Sequence, residues 1–144
     1  MKILVVGGGS IGQRHACNAK DLGLEVALFD NQKSINEIFS KNHKTPLFSS
    51  LQEALAWGPV ATIIAVPHHL HIAVARDVIA AQSIPLIEKP ISHTTENVDQ
   101  LCEYAKQVNI PIYVVCNLRF HQAIDNLKNH LNPVSYTHLT LPTT

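Results

Sequence analysis

The chain has 144 residues, of which 46% are apolar and 15% charged. This balance excludes a disordered segment and suffices for one domain with its own core, though it is short for a two-domain enzyme. Eleven basic residues offset eleven acidic ones, so no net field draws nucleic acid or an anionic membrane to the protein.

In chain order, the first strand is read over 2–6, with an apolar run from Ile3 to Val6 that stops at three glycines. It is too short for a signal-peptide core or a membrane span, so a reducing cytoplasm is the expected setting. Cys17, Cys102 and Cys116 are odd in number and lack CxxC spacing, which argues against a disulfide framework or a zinc site. Further short apolar runs at 25–29, 46–48, 61–66, 85–88 and 112–116 read as strands. The near-continuous apolar character of 61–66 suits a sheet buried on both faces. Segments 11–22, 34–39, 51–57, 70–81 and 95–108 have helical period between them. In the last, Val98, Leu101, Cys102, Ala105 and Val108 line one stripe, and the hydroxyls of Ser92 to Thr95 offer caps. A further helix is expected over 122–131, and no internal repeat is present. Strands alternating with helices, joined by right-handed crossovers, predict an α/β fold with a doubly wound parallel sheet of the Rossmann type.

The turn after the first strand reads Gly7-Gly8-Gly9-Ser10-Ile11-Gly12. In its GxGxxG spacing Gly7 permits the tight turn, Gly9 lets backbone approach a pyrophosphate, and Gly12 lets helix and strand pack closely. The helix that follows presents free N–H groups and a positive dipole end to phosphates. Flexible turns are often glycine-rich, but position between strand and helix favours dinucleotide binding. Asp30 closes the second strand, where a carboxylate accepts hydrogen bonds from the adenosine ribose. Its charge repels a 2′-phosphate, so NAD is expected in preference to NADP, with NADP use left open. A cap for the following helix is the bland reading of Asp30, and both can hold.

At the other strand ends lie Val66-Pro67-His68-His69-Leu70-His71, then Glu88-Lys89-Pro90, then Asn117-Leu118-Arg119-Phe120. In the usual strand order 3-2-1-4-5-6 these polar groups gather on the edge that carries the glycine turn. A metal reading of His68, His69 and His71 is weak, because neighbouring histidines at a loop–helix junction seldom point at one ion and no cysteine or carboxylate stands close. Shaping the crevice or capping the next helix is the expected role. Glu88 and Lys89 read either as a plain surface pair or as a ligand-edge cation that stabilises oxyanion character during hydride transfer.

Taken together, Gly7–Gly12, Ala65-Val66-Pro67 with His71, Glu88-Lys89-Pro90-Ile91-Ser92 and Arg119-Phe120 resemble the Gfo/Idh/MocA family, glucose–fructose oxidoreductase, inositol dehydrogenase and relatives. The likeness runs from Met1 to about Leu131. It implies a two-domain enzyme that oxidises or reduces a sugar, cyclitol or related alcohol carbon with NAD, NADP being possible, and that assembles as a homo-oligomer. It implies Lys89 as catalytic. It further implies Gly7, Gly9, Ser10, Ile11, Gly12, Asp30, Val66, Pro67, His71, Glu88, Lys89 and Arg119 as the cofactor-binding set, with no metal. The acid–base histidine of such enzymes belongs to the second domain, and no such motif occurs in this sequence. The expected division is 1–118 for the dinucleotide-binding domain, 119–132 for the start of a second α/β domain, and 133–144 for a non-native tail. Val134 to Thr143 looks like one translated frame of a transposase sequencing adapter, which is favoured over the bland alternative of a natural polar tail, so a longer natural reading frame and an inactive fragment are expected. The competing readings are a non-catalytic NAD(H)-sensing module and an S-adenosylmethionine-dependent methyltransferase. The spacing of the glycine turn and the Glu88-Lys89-Pro90 motif count against the second.

Overall fold

The computed structural model describes residues 1–116, 121–123 and 126. Five strands, β1 (Lys2–Val6), β2 (Glu25–Phe29), β3 (Ala61–Ile64), β4 (Ile84–Glu88) and β5 (Tyr113–Val115), pair in parallel in the order β2-β1-β3-β4-β5. The helices are α1 (Ser10–Asp21), α2 (Lys33–His43), α3 (Leu51–Ala56), α4 (His71–Ala80) and α5 (Val98–Gln107), with a 3-10 turn at His68–Leu70. Successive β1 side chains point to opposite faces. Leu4 and Val6 join a core made with α3, α4 and α5, whereas Val5 joins one made with α1 and α2. Both faces are therefore covered, which is why β1 and β2 are apolar almost throughout. The chain reverses winding direction between β1 and β3, and this neighbouring pair forms the switch point.

The expected strand at 46–48 does not form. Pro46 has no N–H to give a ladder, and Phe48 turns its ring toward Trp57, 6.0 Å away. The sheet thus has five strands among the described residues, with β2 at one edge. Helix α2 runs longer than the expected 34–39, because Phe39 is buried and its ring stacks on His43 at 4.3 Å. Helix α5 starts later than expected. Its N-cap is Asn97 in the left-handed region, without a side-chain cap, so the hydroxyls of Ser92 to Thr95 do not start it. Its apolar stripe nonetheless buries Leu101 and Ala105. At α3 the Ser50 hydroxyl accepts the Glu53 N–H at 3.1 Å, an ordinary N-cap. Asn117 to Phe120 with Arg119, most of the expected helix over 122–131 and the tail at 133–144 lie outside the described residues.

One polar contact crosses the inner sheet. The fully buried hydroxyls of Thr62 on β3 and Ser83 before β4 hydrogen-bond at 2.8 Å. Thr62→Val strands the Ser83 hydroxyl and is expected to cost about 1–3 kcal/mol in urea unfolding, whereas Thr62→Val with Ser83→Ala removes both partners and recovers most of that loss.

Candidate functional site

Where β1 ends, Gly7 takes φ +102° and donates its N–H to the Phe29 carbonyl at 2.8 Å. A Cβ there would lie 2.5 Å from the Ala65 oxygen, so the turn is pressed against the end of β3. At Gly12 a Cβ would overlap the Gly7 carbonyl, which lets α1 sit directly on the turn. Gly9 differs: a Cβ on it would meet nothing within 4 Å. It caps α1 with no side-chain cap bond and no acidic residue in the first turn. The first helical hydrogen bond, Gln13 N–H to Gly9 O, closes at 2.9 Å. The amides of Ser10, Ile11 and Gly12 precede it at the start of α1, where a helix N-terminus favours an anion.

Asp30 follows β2 and hangs beside this turn. One carboxylate oxygen accepts the Gly8 N–H at 2.7 Å and the other the Gln32 N–H at 2.8 Å. Asp30 thus shapes the entry to α2 and also lines the groove beside the glycine turn. Buried Asn36 fixes its backbone: Oδ1 accepts the Asp30 N–H at 2.6 Å and Nδ2 donates to the Asp30 carbonyl at 2.7 Å. A groove of about 560 Å³ runs from Gly7 and Gly9 past Asp30 to Val66, Pro67 and Leu70. Beyond Asp30 it meets a hollow of about 410 Å³ walled by Phe48, Lys33 and Glu53. The Ser49 hydroxyl, and then its amide, hold the Glu53 carboxyl below the usual range.

The ends of β3 and β4 form the other half. His71 is 1% exposed and lies between two loops, with Nε2 2.9 Å from the Val66 carbonyl and Nδ1 2.8 Å from the Pro90 carbonyl. Both carbonyls only accept, so a neutral ring donates to one and an imidazolium to both. His71 is therefore a bracket between the strand ends rather than a cap for α4, and it lines the same small pocket as His68. Glu88 does not pair with the Lys89 ammonium as a plain surface pair would. Its Oε1 accepts from His15 Nε2 at 2.7 Å, and its Oε2 accepts the Lys89 backbone N–H at 3.1 Å. The Lys89 side chain is exposed and, with Ile11, Val66, Pro67 and His68, lines a pocket of about 140 Å³.

The structure thus gathers Gly7, Gly9, Ser10, Ile11, Gly12, Asp30, Val66, Pro67, His71, Glu88 and Lys89 on one edge of the sheet, while Arg119 lies outside the described residues. Two partners escape sequence reasoning, His15 and Asn36. A polar residue on the inward stripe of α2 is the only sign of Asn36, and nothing local marks His15. The rings of His68, His69 and His93 stand 6.2–6.4 Å apart. Among the described residues no three His, Cys, Asp or Glu side chains are gathered as metal ligands, and no helix is long and apolar enough to cross a membrane.

Residues 1–115 match the family model GFO_IDH_MocA, described as an oxidoreductase family with an NAD-binding Rossmann fold. No curated protein sequence matches significantly. Among solved structures, the chain is similar to a UDP-N-acetylglucosamine 3-dehydrogenase, GnnA, from Acidithiobacillus ferrooxidans, with 28% identity and a TM-score of 0.82 over 90% of this chain and 43% of that one. It is similar to an NAD-binding protein from Listeria innocua, with 27% identity and a TM-score of 0.82 over 90% of this chain and 39% of that one. In fold it also matches the WlbA dehydrogenase from Bordetella pertussis, solved with NADH and UDP-GlcNAcA, at 23% identity and a TM-score of 0.84 over 91% of this chain and 39% of that one. The chain spans roughly two fifths of the length of these proteins.

The His71 bracket is open to a direct measurement. His71→Phe keeps an aromatic ring but removes the ring N–H that bonds the Val66 or Pro90 carbonyl, so chemical unfolding should show a loss of about 1–3 kcal/mol. An unchanged midpoint and slope would mean that the two carbonyls do not depend on the ring.

Proposed function

This chain belongs to the Gfo/Idh/MocA oxidoreductase family through its NAD-binding Rossmann domain, and on that premise we propose that it forms the cofactor half of a dehydrogenase acting on a CH–OH carbon. The substrate is a sugar, cyclitol or related alcohol. A nucleotide-linked sugar is the favoured class, because two of the similar solved proteins carry such molecules in their names. The whole protein is expected to be a homo-oligomer of the cytoplasm.

The residues fit NAD. The free amides at the start of α1 and the open space over Gly9 suit a diphosphate, and the Asp30 carboxylate suits the two ribose hydroxyls at the end of the groove. When bound, NAD supplies the hydride acceptor or donor. Binding and orientation fall to the glycine turn and Asp30, while Val66 and Pro67 wall the groove from the β3 side.

One observation carries the catalytic reading: the Lys89 side chain lines the same small pocket as Ile11 of the phosphate-facing helix and Val66 at the switch point. A cation there is two strands away from β1 and on the same rim. Its ammonium would donate a hydrogen bond to the substrate hydroxyl oxygen and stabilise the negative charge that builds on that oxygen as its proton leaves. The hydroxyl proton goes to a positioned base, which the family resemblance puts in the substrate domain.

Calorimetric titration of this chain with NADH and with ADP-ribose, which lacks the nicotinamide, tests the reading. Gly9→Ala should keep the melting temperature, since its Cβ meets nothing, yet weaken both ligands about tenfold, near 1.4 kcal/mol. Gly12→Ala should instead destabilise the fold by about 1–3 kcal/mol or more. Lys89→Met should weaken NADH several-fold and leave ADP-ribose unchanged. Absence of NADH binding by the unaltered chain, or preferential binding of S-adenosylmethionine, would overturn the assignment.

A further inference from the structure

Glu88 is the residue through which the chain enters Lys89, and its carboxylate is held at both ends. Oε2 accepts the Lys89 N–H at 3.1 Å, and Oε1 lies 2.7 Å from His15 Nε2. A carboxylate only accepts, so Nε2 carries the proton whatever the charge of the ring. The two side chains are 20% and 13% exposed, partly shielded from water, where a charge-assisted hydrogen bond counts for more than on an open surface. Among the described residues His15 and the Lys89 amide are the two partners of this carboxylate.

His15 comes from far away in the chain. It sits on α1, one turn beyond Gly12, on the helix whose first amides face the diphosphate position. Helix α1 packs chiefly over β1 and β2, and the imidazole reaches past β3 to the end of β4. The core beneath α1 is made by Ala16 and Ala19 and does not use this contact. A tie that leaves the core alone and ends on the residue preceding Lys89 acts on the geometry of the site.

We propose that His15 is a positioning residue: through Glu88 it sets the Lys89 backbone at a fixed offset from the helix that grips the diphosphate. The phosphate end and the redox end of the cofactor site are thereby coupled by one hydrogen-bonded chain, α1–His15–Glu88–Lys89. This rests on the reading of Lys89 as the cation at the redox end. It assigns to His15 a role through Glu88 rather than a contact with ligand.

The test compares NADH with ADP-ribose on this chain, using His15→Leu, His15→Gln, Lys89→Met and the Lys89→Met/His15→Leu double variant. ADP-ribose reports the diphosphate and adenosine end, so general damage to the fold weakens both ligands alike. His15→Leu should raise the NADH Kd about fivefold and leave that for ADP-ribose within about twofold. His15→Gln, whose side-chain amide takes over the donor role of Nε2, should restore NADH affinity. In the Lys89→Met background His15→Leu should cost nothing further. Equal losses for both ligands, no loss, no rescue by Gln, or an undiminished loss in the Lys89→Met background would each overturn the His15 proposal while the Lys89 reading stands. If instead Lys89→Met leaves the NADH-to-ADP-ribose ratio of the parent unchanged, the Lys89 reading fails and the His15 proposal fails with it.

Discussion

At the junction of β1, α1 and β3 the backbone comes too close for side chains on two residues. Gly7 lies against the Ala65 carbonyl, and Gly12 lies against the carbonyl of Gly7. This double approach draws the start of α1 down onto the sheet at the point where winding reverses. The rest of the site depends on it. Were α1 held a side chain's width higher, its first amides would leave the groove floor, and His15 would no longer reach Glu88. At Gly9, by contrast, a Cβ would meet nothing within 4 Å. Gly7 and Gly12 thus answer to packing, and Gly9 does not, which is what the proposed phosphate role of its open side requires.

Around that junction, side chains tie strand ends that no ladder joins. Strands stop pairing at Val6, Ile64 and Glu88, and the loops beyond them carry backbone polar groups that need partners. His71 serves Val66 and Pro90, Asn36 serves both backbone groups of Asp30, and Glu88 serves Lys89. The His71 and Asn36 ties are part-buried, so water competes weakly for them, whereas the bond from the Lys89 N–H to Glu88 is exposed. The rim that presents the candidate ligand groups is held by this set of hydrogen bonds, and the two apolar cores hold the sheet beneath it.

The same rim explains which chemistry the fold accommodates. Carboxylates, Asp30 and Glu53, stand at the β2 side, and an exposed ammonium, Lys89, stands at the β4 side, with the helix dipole between them. On the proposed reading, a ligand with ribose hydroxyls at one end, anionic phosphates in the middle and a redox group at the other end would meet these groups in that order. Residues 1–115 match an oxidoreductase family with an NAD-binding Rossmann fold.

Much of this was legible in the residues alone. The apolar runs and helical periods locate all five observed strands, because a strand buried on both faces must be apolar whatever its neighbours. The glycine spacing marks the turn, because a missing Cβ is a local property. The expected strand at 46–48 failed for a reason also local but outweighed in the reading: a proline at its start and an aromatic drawn to Trp57. The late start of α5 at Asn97 was hidden by a row of hydroxyls that resemble caps. What only the tertiary structure decided is partnership across the chain. Which of nine histidines meets Glu88 and which spans two carbonyls depends on strand order and on the height of α1 above the sheet. Those are distances between segments far apart in sequence, and no local pattern records them.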